Sequence, residues 1–208
     1  MLAIDHLVIA SKSPKNDAET FAKRHDVTVL EGGKHENWGT FNYLAFFHND
    51  CYIEWLGVFD DELARKSDNP LIKRTVSFLD EGKDGLLTYA LRTSDMAGHL
   101  KYFRENNIIH HGPFPGERKR TDGSVLSWNM LFPEGDTLPF LIEWQNGINL
   151  PAHEKDINEQ TLHTVRVPGR IKDYDKTFGL TGENRKIQLE NGALEFHHQL
   201  EFFIDDGK

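Results

Sequence analysis

A strand ending that occurs twice constrains the fold of this chain more than any other feature. Residues 52–55 read Tyr-Ile-Glu-Trp, and residues 141–144 read Leu-Ile-Glu-Trp. Each copy places one carboxylate inside an otherwise apolar strand, where an ionised carboxylate is costly to bury unless something pairs with it. We therefore expect a duplicated unit in which Glu54 and Glu143 converge on one site. The tryptophan after each glutamate is expected on the opposite face of the sheet, under the helices.

The segments around the two copies follow the same order of elements. Each half reads as a strand, a helix and three strands, and Asn42 stands 12 residues before Glu54 as Asn129 stands 14 before Glu143. This pattern predicts an α+β fold of paired βαβββ modules that form a curved mixed sheet around a cavity, with the helices outside. The expected strands are 3–10, 27–30, 41–47 and 52–58, then 86–93, 108–110, 125–132 and 140–145, with helices starting near residues 13, 69 and 94.

The chain divides into three parts on this interpretation. Residues 1–82 hold the first module and a connector helix, residues 83–150 hold the second module, and residues 151–208 form a C-terminal extension. The extension resembles a partial third module, and its Asn-Gly pair at 191–192 is a strong hairpin signal. The sequence leaves open whether it packs within its own chain or across a homodimer.

Composition excludes several classes of partner. The 208 residues carry 33 acidic and 24 basic side chains, for a net charge of −9, which argues against nucleic acid and anionic membranes as partners. The single cysteine, Cys51, excludes a disulfide framework within the chain. Because no secretory signal or long apolar stretch is visible, we expect a cytoplasmic protein. A small molecule is the expected substrate or ligand.

Several residues together resemble a known family. The first predicted strand carries His6, the glycine-rich loop and strand at 33–42 read Gly-Lys-His-Glu-Asn-Trp-Gly-Thr-Phe-Asn, and Tyr-Ile-Glu follows at 52–54. This order is similar to that of the glyoxalase-like domain proteins of the vicinal oxygen chelate superfamily. The resemblance covers residues 1 to about 147.

The resemblance implies a metal centre. Metal-dependent members hold a divalent ion (Zn, Ni, Mn or Fe) with four side chains from the first and last strands of the two modules. Carried over to this chain, the ligands would be His6, Glu54 and Glu143, and one glutamate, Glu54 or Glu143, would also move a proton. The fourth position falls on Thr88, whose neutral hydroxyl is a poor ligand.

Two functions therefore stay open at this stage. The first is a metal-dependent lyase or isomerase that acts on a small oxygenated metabolite, and the second is a metal-free module that binds such a molecule. Loss of a ligand at Thr88 favours the second function. A weaker third hypothesis is an interaction protein whose extension mediates dimerisation. The expected substrate contacts are His35, Trp38, Thr40, Asn42, Thr88 and Asn129, and the basic run at 118–120 either attracts an anion or forms a solvated hairpin.

Overall fold

The structure, a computed structural model, describes residues 1–120 and 123–205. It is an α+β fold in which the paired βαβββ modules form one curved, mixed sheet, and the C-terminal extension adds a smaller four-stranded sheet. The predicted fold class is confirmed. The proposed boundaries at residues 82 and 150 stay predictions.

The large sheet is built from two similar halves that meet at its centre. Its strand order is β2-β3-β4-β1-β5-β8-β7-β6, and the central strands β1 and β5 are antiparallel. Within each half the first strand runs parallel to the last one, β1 to β4 and β5 to β8. The strands are β1 Ala3–Ala10, β2 Leu30–His35, β3 Thr40–Phe47, β4 Cys51–Val58, β5 Gly85–Arg92, β6 His110–Lys119, β7 Val125–Pro133 and β8 Phe140–Trp144, and the short β9 Ile157–Asn158 pairs with β3.

The helices begin where the sequence places capping residues. The side chain of Asn69 accepts a hydrogen bond from the Leu71 N–H, and that of Asp95 accepts one from the Gly98 N–H. In the described part of the chain, no helix is both long and apolar enough to cross a bilayer. The helices are α1 Pro14–His25, α2 Asp61–Lys66, α3 Pro70–Asp80, α4 Met96–Glu105 and α5 Ile171–Phe178.

The two faces of the large sheet bury different layers. Leu7, Trp55 and Phe103 share one core with the second sheet, so α1, α4 and the extension cover the convex face. Val8 and Met130 belong to a second core on the concave face, against α3. Since β1 is covered on both faces, it reads as a continuous apolar run interrupted by a buried Asp-His pair.

Two strands lie elsewhere than predicted. The strand expected at 27–30 runs instead over β2, and the short strand expected at 108–110 becomes the ten-residue β6. Both lie at ends of the sheet, where the glycines and prolines that would interrupt a central ladder are tolerated. The sheet curls so far that a Cβ on Gly33 would lie 3.3 Å from the backbone oxygen of Lys119. The curled sheet therefore encloses its concave face.

The extension packs within its own chain. Its sheet has the order β11-β12-β10-β13, and β10 runs parallel to β12 as β1 does to β4. Its apolar residues, among them Leu162 and Tyr174, join the core on the convex face of the large sheet. Asn191, in the predicted hairpin turn, bonds to the backbone of Ile4 and Asn49. The strands are β10 Thr161–Val167, β11 Lys186–Gln188, β12 Ala193–Phe196 and β13 Glu201–Asp205.

Candidate functional site

A small cavity lies on the concave face of the large sheet, and polar side chains cluster there. Its volume is about 30 Å³, enough for one or two water-sized groups. Tryptophan and aliphatic side chains form most of the wall. The polar groups on its surface are His6, His35, Asn42, Tyr52, Glu54, Arg118 and Asn149.

A bulge in β1 brings Asp5 and His6 to this region together. The pairing of β1 with β5 shifts register between Ile4 and His6, which turns the extra residue Asp5 toward the histidine. Nδ1 of His6 lies 2.6 Å from Oδ1 of Asp5 and must carry the proton, because an ionised carboxylate only accepts. On the other side of the ring, Nε2 of His6 lies 3.5 Å from Oε2 of Glu54. Tyr52 stacks on the ring, at a centroid distance of 4.6 Å.

One amide joins the buried carboxylate to a buried guanidinium. Nδ2 of Asn42 donates to Oε1 of Glu54 at 2.5 Å, and Oδ1 of Asn42 accepts from Nη1 of Arg118 at 3.2 Å. Arg118 is only 6% exposed, and burial lowers its pKa, although Tyr52 and Glu54 act in the opposite direction. Gly32 leaves the space for this contact, because a Cβ there would clash with Oδ1 of Asn42.

His35 closes the side of the cavity nearest Asn42. Its Nε2 lies 3.5 Å from Nδ2 of Asn42, and its Nδ1 lies 3.0 Å from Oγ1 of Thr40. Since an amide nitrogen only donates, Nε2 is the acceptor and the ring is neutral. Burial, together with the charges of Arg118 and His6, lowers the pKa of His35 to about 3. Trp38 packs beside His35, so four predicted contacts, His35, Trp38, Thr40 and Asn42, lie together.

Because His35 is neutral in the folded protein, we expect the protein to lose stability in mild acid. An unfolded histidine titrates near 6.5, so between pH 7 and pH 5 the unfolded chain gains a proton at residue 35 while the folded chain does not. We expect this difference to lower the free energy of unfolding by about 2 kcal/mol over that interval. The variant His35→Gln should lose this part of the pH dependence in urea unfolding, whereas the exposed control His48→Gln should keep it. Equal pH dependence in both variants would contradict the assignment.

Glu143 does not reach the cavity, contrary to the sequence-based expectation. Trp128 pairs with Trp144 across β7 and β8, and both line the cavity. Strand alternation then turns Glu143 to the other face, where its carboxylate accepts from the Met96 N–H at 3.0 Å. Asn129 pairs with Glu143 and faces the same separate groove, of about 810 Å³. The expectation for Trp144 was also wrong, although Trp55 lies under the helices as expected.

Thr88 lies two residues away from the position on β5 that is opposite His6. The residue opposite His6 is Ala90, which also lies opposite Phe140 of β8, whereas Thr88 pairs with Val8. Thr88 instead lines a different depression beside Phe140. The second module therefore presents apolar side chains where the first presents His6 and Glu54.

The family model described as "Glyoxalase-like domain" matches residues 4–180. The chain belongs to the glyoxalase-like domain family. The predicted resemblance, including the vicinal oxygen chelate superfamily, is confirmed. No curated protein matches this glyoxalase-like chain significantly.

Solved structures share the fold of this glyoxalase-like chain at low sequence identity. A hypothetical protein from Staphylococcus aureus has a TM-score of 0.75 at 21% identity, covering 97% of this chain and 89% of its own. A methylmalonyl-CoA epimerase variant from Streptomyces coelicolor has a TM-score of 0.52 at 16% identity, covering 71% and 98%. The methylmalonyl-CoA epimerase from Mycobacterium tuberculosis has a TM-score of 0.51 at 20% identity, covering 67% and 86%. At these identities the likeness establishes the fold alone.

The residues of this glyoxalase-like chain do not fit the implied divalent metal. Of the proposed ligands, only His6 and Glu54 face each other, and β8 offers Phe140, Ile142 and Trp144 on the cavity side. Within residues 1–120 and 123–205, no group of three or more His, Cys, Asp or Glu side chains could hold a metal ion. The buried guanidinium of Arg118 also supplies positive charge that would repel a cation. Of the three proposed ligands, one imidazole and one carboxylate meet, and this pair is too few for the expected centre.

Sequence reasoning missed four polar residues of the site. Tyr52 was noted only as part of the repeated strand ending. Asp5 carried no signal beyond its place before His6, and its importance comes from the β1 bulge. Asn149 follows β8 in a loop, with no pattern to mark it. Arg118 did carry a signal, because the basic run at 118–120 was weighed as an anion attractor, but its burial depends on the curling of the sheet.

Proposed function

We propose that this glyoxalase-like chain binds the oxygenated end of a small molecule in the concave cavity without a metal. The chain of contacts from Arg118 through Asn42 to Glu54 carries the proposal. The guanidinium supplies inside the cavity the positive charge that a metal would otherwise bring. The carboxylate and the guanidinium do not neutralise each other directly, since the amide lies between them.

The chemistry of these groups restricts what they can bind. A carboxylate only accepts hydrogen bonds and a guanidinium only donates them. A molecule that contacts both Glu54 and Arg118 must therefore donate at one end and accept at the other, as a hydroxyl next to a carbonyl does. Asp5 fixes the His6 ring so that Nε2 points into the same region. The tryptophan and aliphatic walls lower the local polarity, which strengthens these polar contacts.

The same geometry favours a second candidate, isomerase-type proton transfer without a metal. Glu54 is a carboxylate base on the cavity wall, and Arg118 can stabilise negative charge that develops on a carbonyl oxygen of the bound molecule. In that step the C–H bond next to the carbonyl breaks, the proton passes to Glu54 and the electron pair moves to the oxygen. Exchange of that hydrogen for deuterium in heavy water, lost in Glu54→Gln, would support this candidate.

The metal-free proposal predicts that added metals leave the protein unchanged. Protein purified without chelator or affinity metal should contain no stoichiometric metal by elemental analysis. Addition of Mn, Ni, Zn or Fe should shift the melting temperatures of wild type, Glu54→Gln and the exposed control Glu117→Gln equally. One equivalent of metal per chain that is lost in Glu54→Gln alone would overturn the proposal.

Binding itself can be tested with an uncharged pair of probes. Hydroxyacetone has a hydroxyl beside a carbonyl, and acetone lacks the hydroxyl. We expect millimolar hydroxyacetone to raise the melting temperature of wild type by mass action, and acetone not to do so. Glu54→Gln should lose the difference. Equal behaviour of the two probes in wild type would contradict the proposed contact with Glu54.

A further inference from the structure

A second, larger pocket adjoins the cavity at Arg118 and Asn149. Its volume is about 400 Å³, and both residues line the pocket and the cavity. We call it the mouth pocket. Leu30, Leu44 and Phe46 form an apolar wall there. A ligand that reaches Glu54 from this side must pass Arg118 and Asn149.

The side chain of Asn149 has a hydrogen-bonding group without a partner. The residue is 3% exposed, and its Oδ1 accepts from Nη2 of Arg120 at 3.3 Å. Its Nδ2 makes no hydrogen bond of good geometry to any residue that the structure describes. The Tyr52 hydroxyl is its neighbour: burial raises the pKa of Tyr52, and the Asn149 side chain acts in the opposite direction. Buried amide nitrogens are almost always paired. This one borders both the cavity and the mouth pocket.

Arg118 offers further donors at the same boundary. Its guanidinium has five N–H groups, and the bond to Asn42 uses one of them. Among residues 1–120 and 123–205, no carboxylate forms an ion pair with it, and Glu54 acts on it only as a nearby charge. Glu31 and Asp156 also line the mouth pocket, and Arg118 and Arg120 balance their charge. The attraction for an anion at this boundary therefore comes from the buried donors and not from a net positive pocket.

We propose that this boundary binds the carboxylate of a small hydroxy acid. One carboxylate oxygen accepts from Arg118 and the other from Nδ2 of Asn149, and the neighbouring hydroxyl donates to Glu54. An apolar substituent then lies in the mouth pocket against Leu44 and Phe46. The assignment rests on the proposed function, because it names the class of molecule whose oxygenated end enters the cavity.

Lactate, lactamide and propionate form a matched set of probes for the carboxylate. Lactamide replaces the charge by a neutral amide, and propionate lacks the hydroxyl. In isotope-labelled protein we expect lactate and propionate to shift the side-chain amide signal of Asn149, which Asn149→Leu identifies by its loss. Lactate should bind at least about tenfold more tightly than lactamide, as charge-assisted hydrogen bonds predict.

Variants separate the carboxylate site from a general effect of charge. Arg118→Met and Asn149→Leu should each reduce the preference for lactate over lactamide about tenfold. Arg118→Lys should retain part of it, and Arg24→Met, which removes an exposed charge on α1, should leave it intact. The assignment is overturned if neither carboxylate moves the Asn149 signal, or if the preference survives both substitutions.

The two proposals fail in different ways. If hydroxyacetone binds but lactate is no better than lactamide, the carboxylate assignment is wrong and the metal-free site stands. If lactate and propionate bind equally and hydroxyacetone does not bind, the carboxylate site stands and the contact with Glu54 is wrong.

Discussion

Asn191→Ala is expected to lower the free energy of unfolding by about 3 kcal/mol, at about 1 kcal/mol for each backbone group left without its partner. The Asn191 side chain accepts from the Ile4 N–H at 2.8 Å and donates to the carbonyl oxygens of Ile4 and Asn49, each at 2.8 Å. Ile4 lies beyond the pairing of β1 with β4, which starts at His6. The extension therefore completes the hydrogen bonding of the central strand just before its bulge.

Urea unfolding of three variants measures this effect. Asn191→Asp should be at least as damaging as Asn191→Ala, because a carboxylate oxygen would face two carbonyl oxygens. Asn16→Ala, at an exposed position on α1, should change stability by less than about 0.5 kcal/mol. A mild effect of Asn191→Ala, similar to that of the control, would show that water replaces the lost bonds.

The fold was predictable because its signals are local and repeated. The apolar runs of β1, β4 and β8, the Pro14 and Asn69 helix starts and the Asn-Gly turn each depend on a few neighbouring residues. The second and sixth strands were misplaced because edge strands tolerate residues that usually break strands. The sequence of β6 alone does not predict a ten-residue strand.

The candidate site was predictable in its first half and not in its second. His6, His35, Asn42 and Glu54 lie together on the cavity surface, and the resemblance to glyoxalase-like proteins had marked each of them as a site residue. The Glu-Trp match in β8 was misleading, since a strand shifted by one residue turns every side chain to the other face. Leu44 lies opposite Glu54 just as Met130 lies opposite Ile142, so the structural counterpart of the glutamate is apolar. Two sequences that look alike therefore occupy different faces.

Asp5→Ala is expected to cost about 4 kcal/mol of stability, the usual range for breaking a buried charged contact. Asp5 is 1% exposed, and it accepts from Nδ1 of His6 at 2.6 Å, from Nε1 of Trp144 at 2.9 Å and from Nη1 of Arg92 at 3.4 Å. The donors come from strands of both modules. Its removal leaves Nδ1 of His6 and Nε1 of Trp144 without this buried acceptor, and unpaired buried donors are costly. Nη1 of Arg92 keeps its bond to the carbonyl oxygen of Asp50 at 2.8 Å.

The neutral variant Asp5→Asn separates the contribution of charge from that of shape. It keeps the volume and one acceptor oxygen, so we expect about half of the loss, about 2 kcal/mol, in the same urea experiment. The exposed control Asp68→Ala should stay within about 0.5 kcal/mol of wild type. Because Asp5 sets the proton on Nδ1 of His6, Asp5→Asn should also weaken hydroxyacetone binding while the chain is still folded. If Asp5→Asn loses the expected stability but binds hydroxyacetone as wild type does, Asp5 is a purely structural link between the modules. The orientation of His6 would then depend on Tyr52 and Glu54 alone.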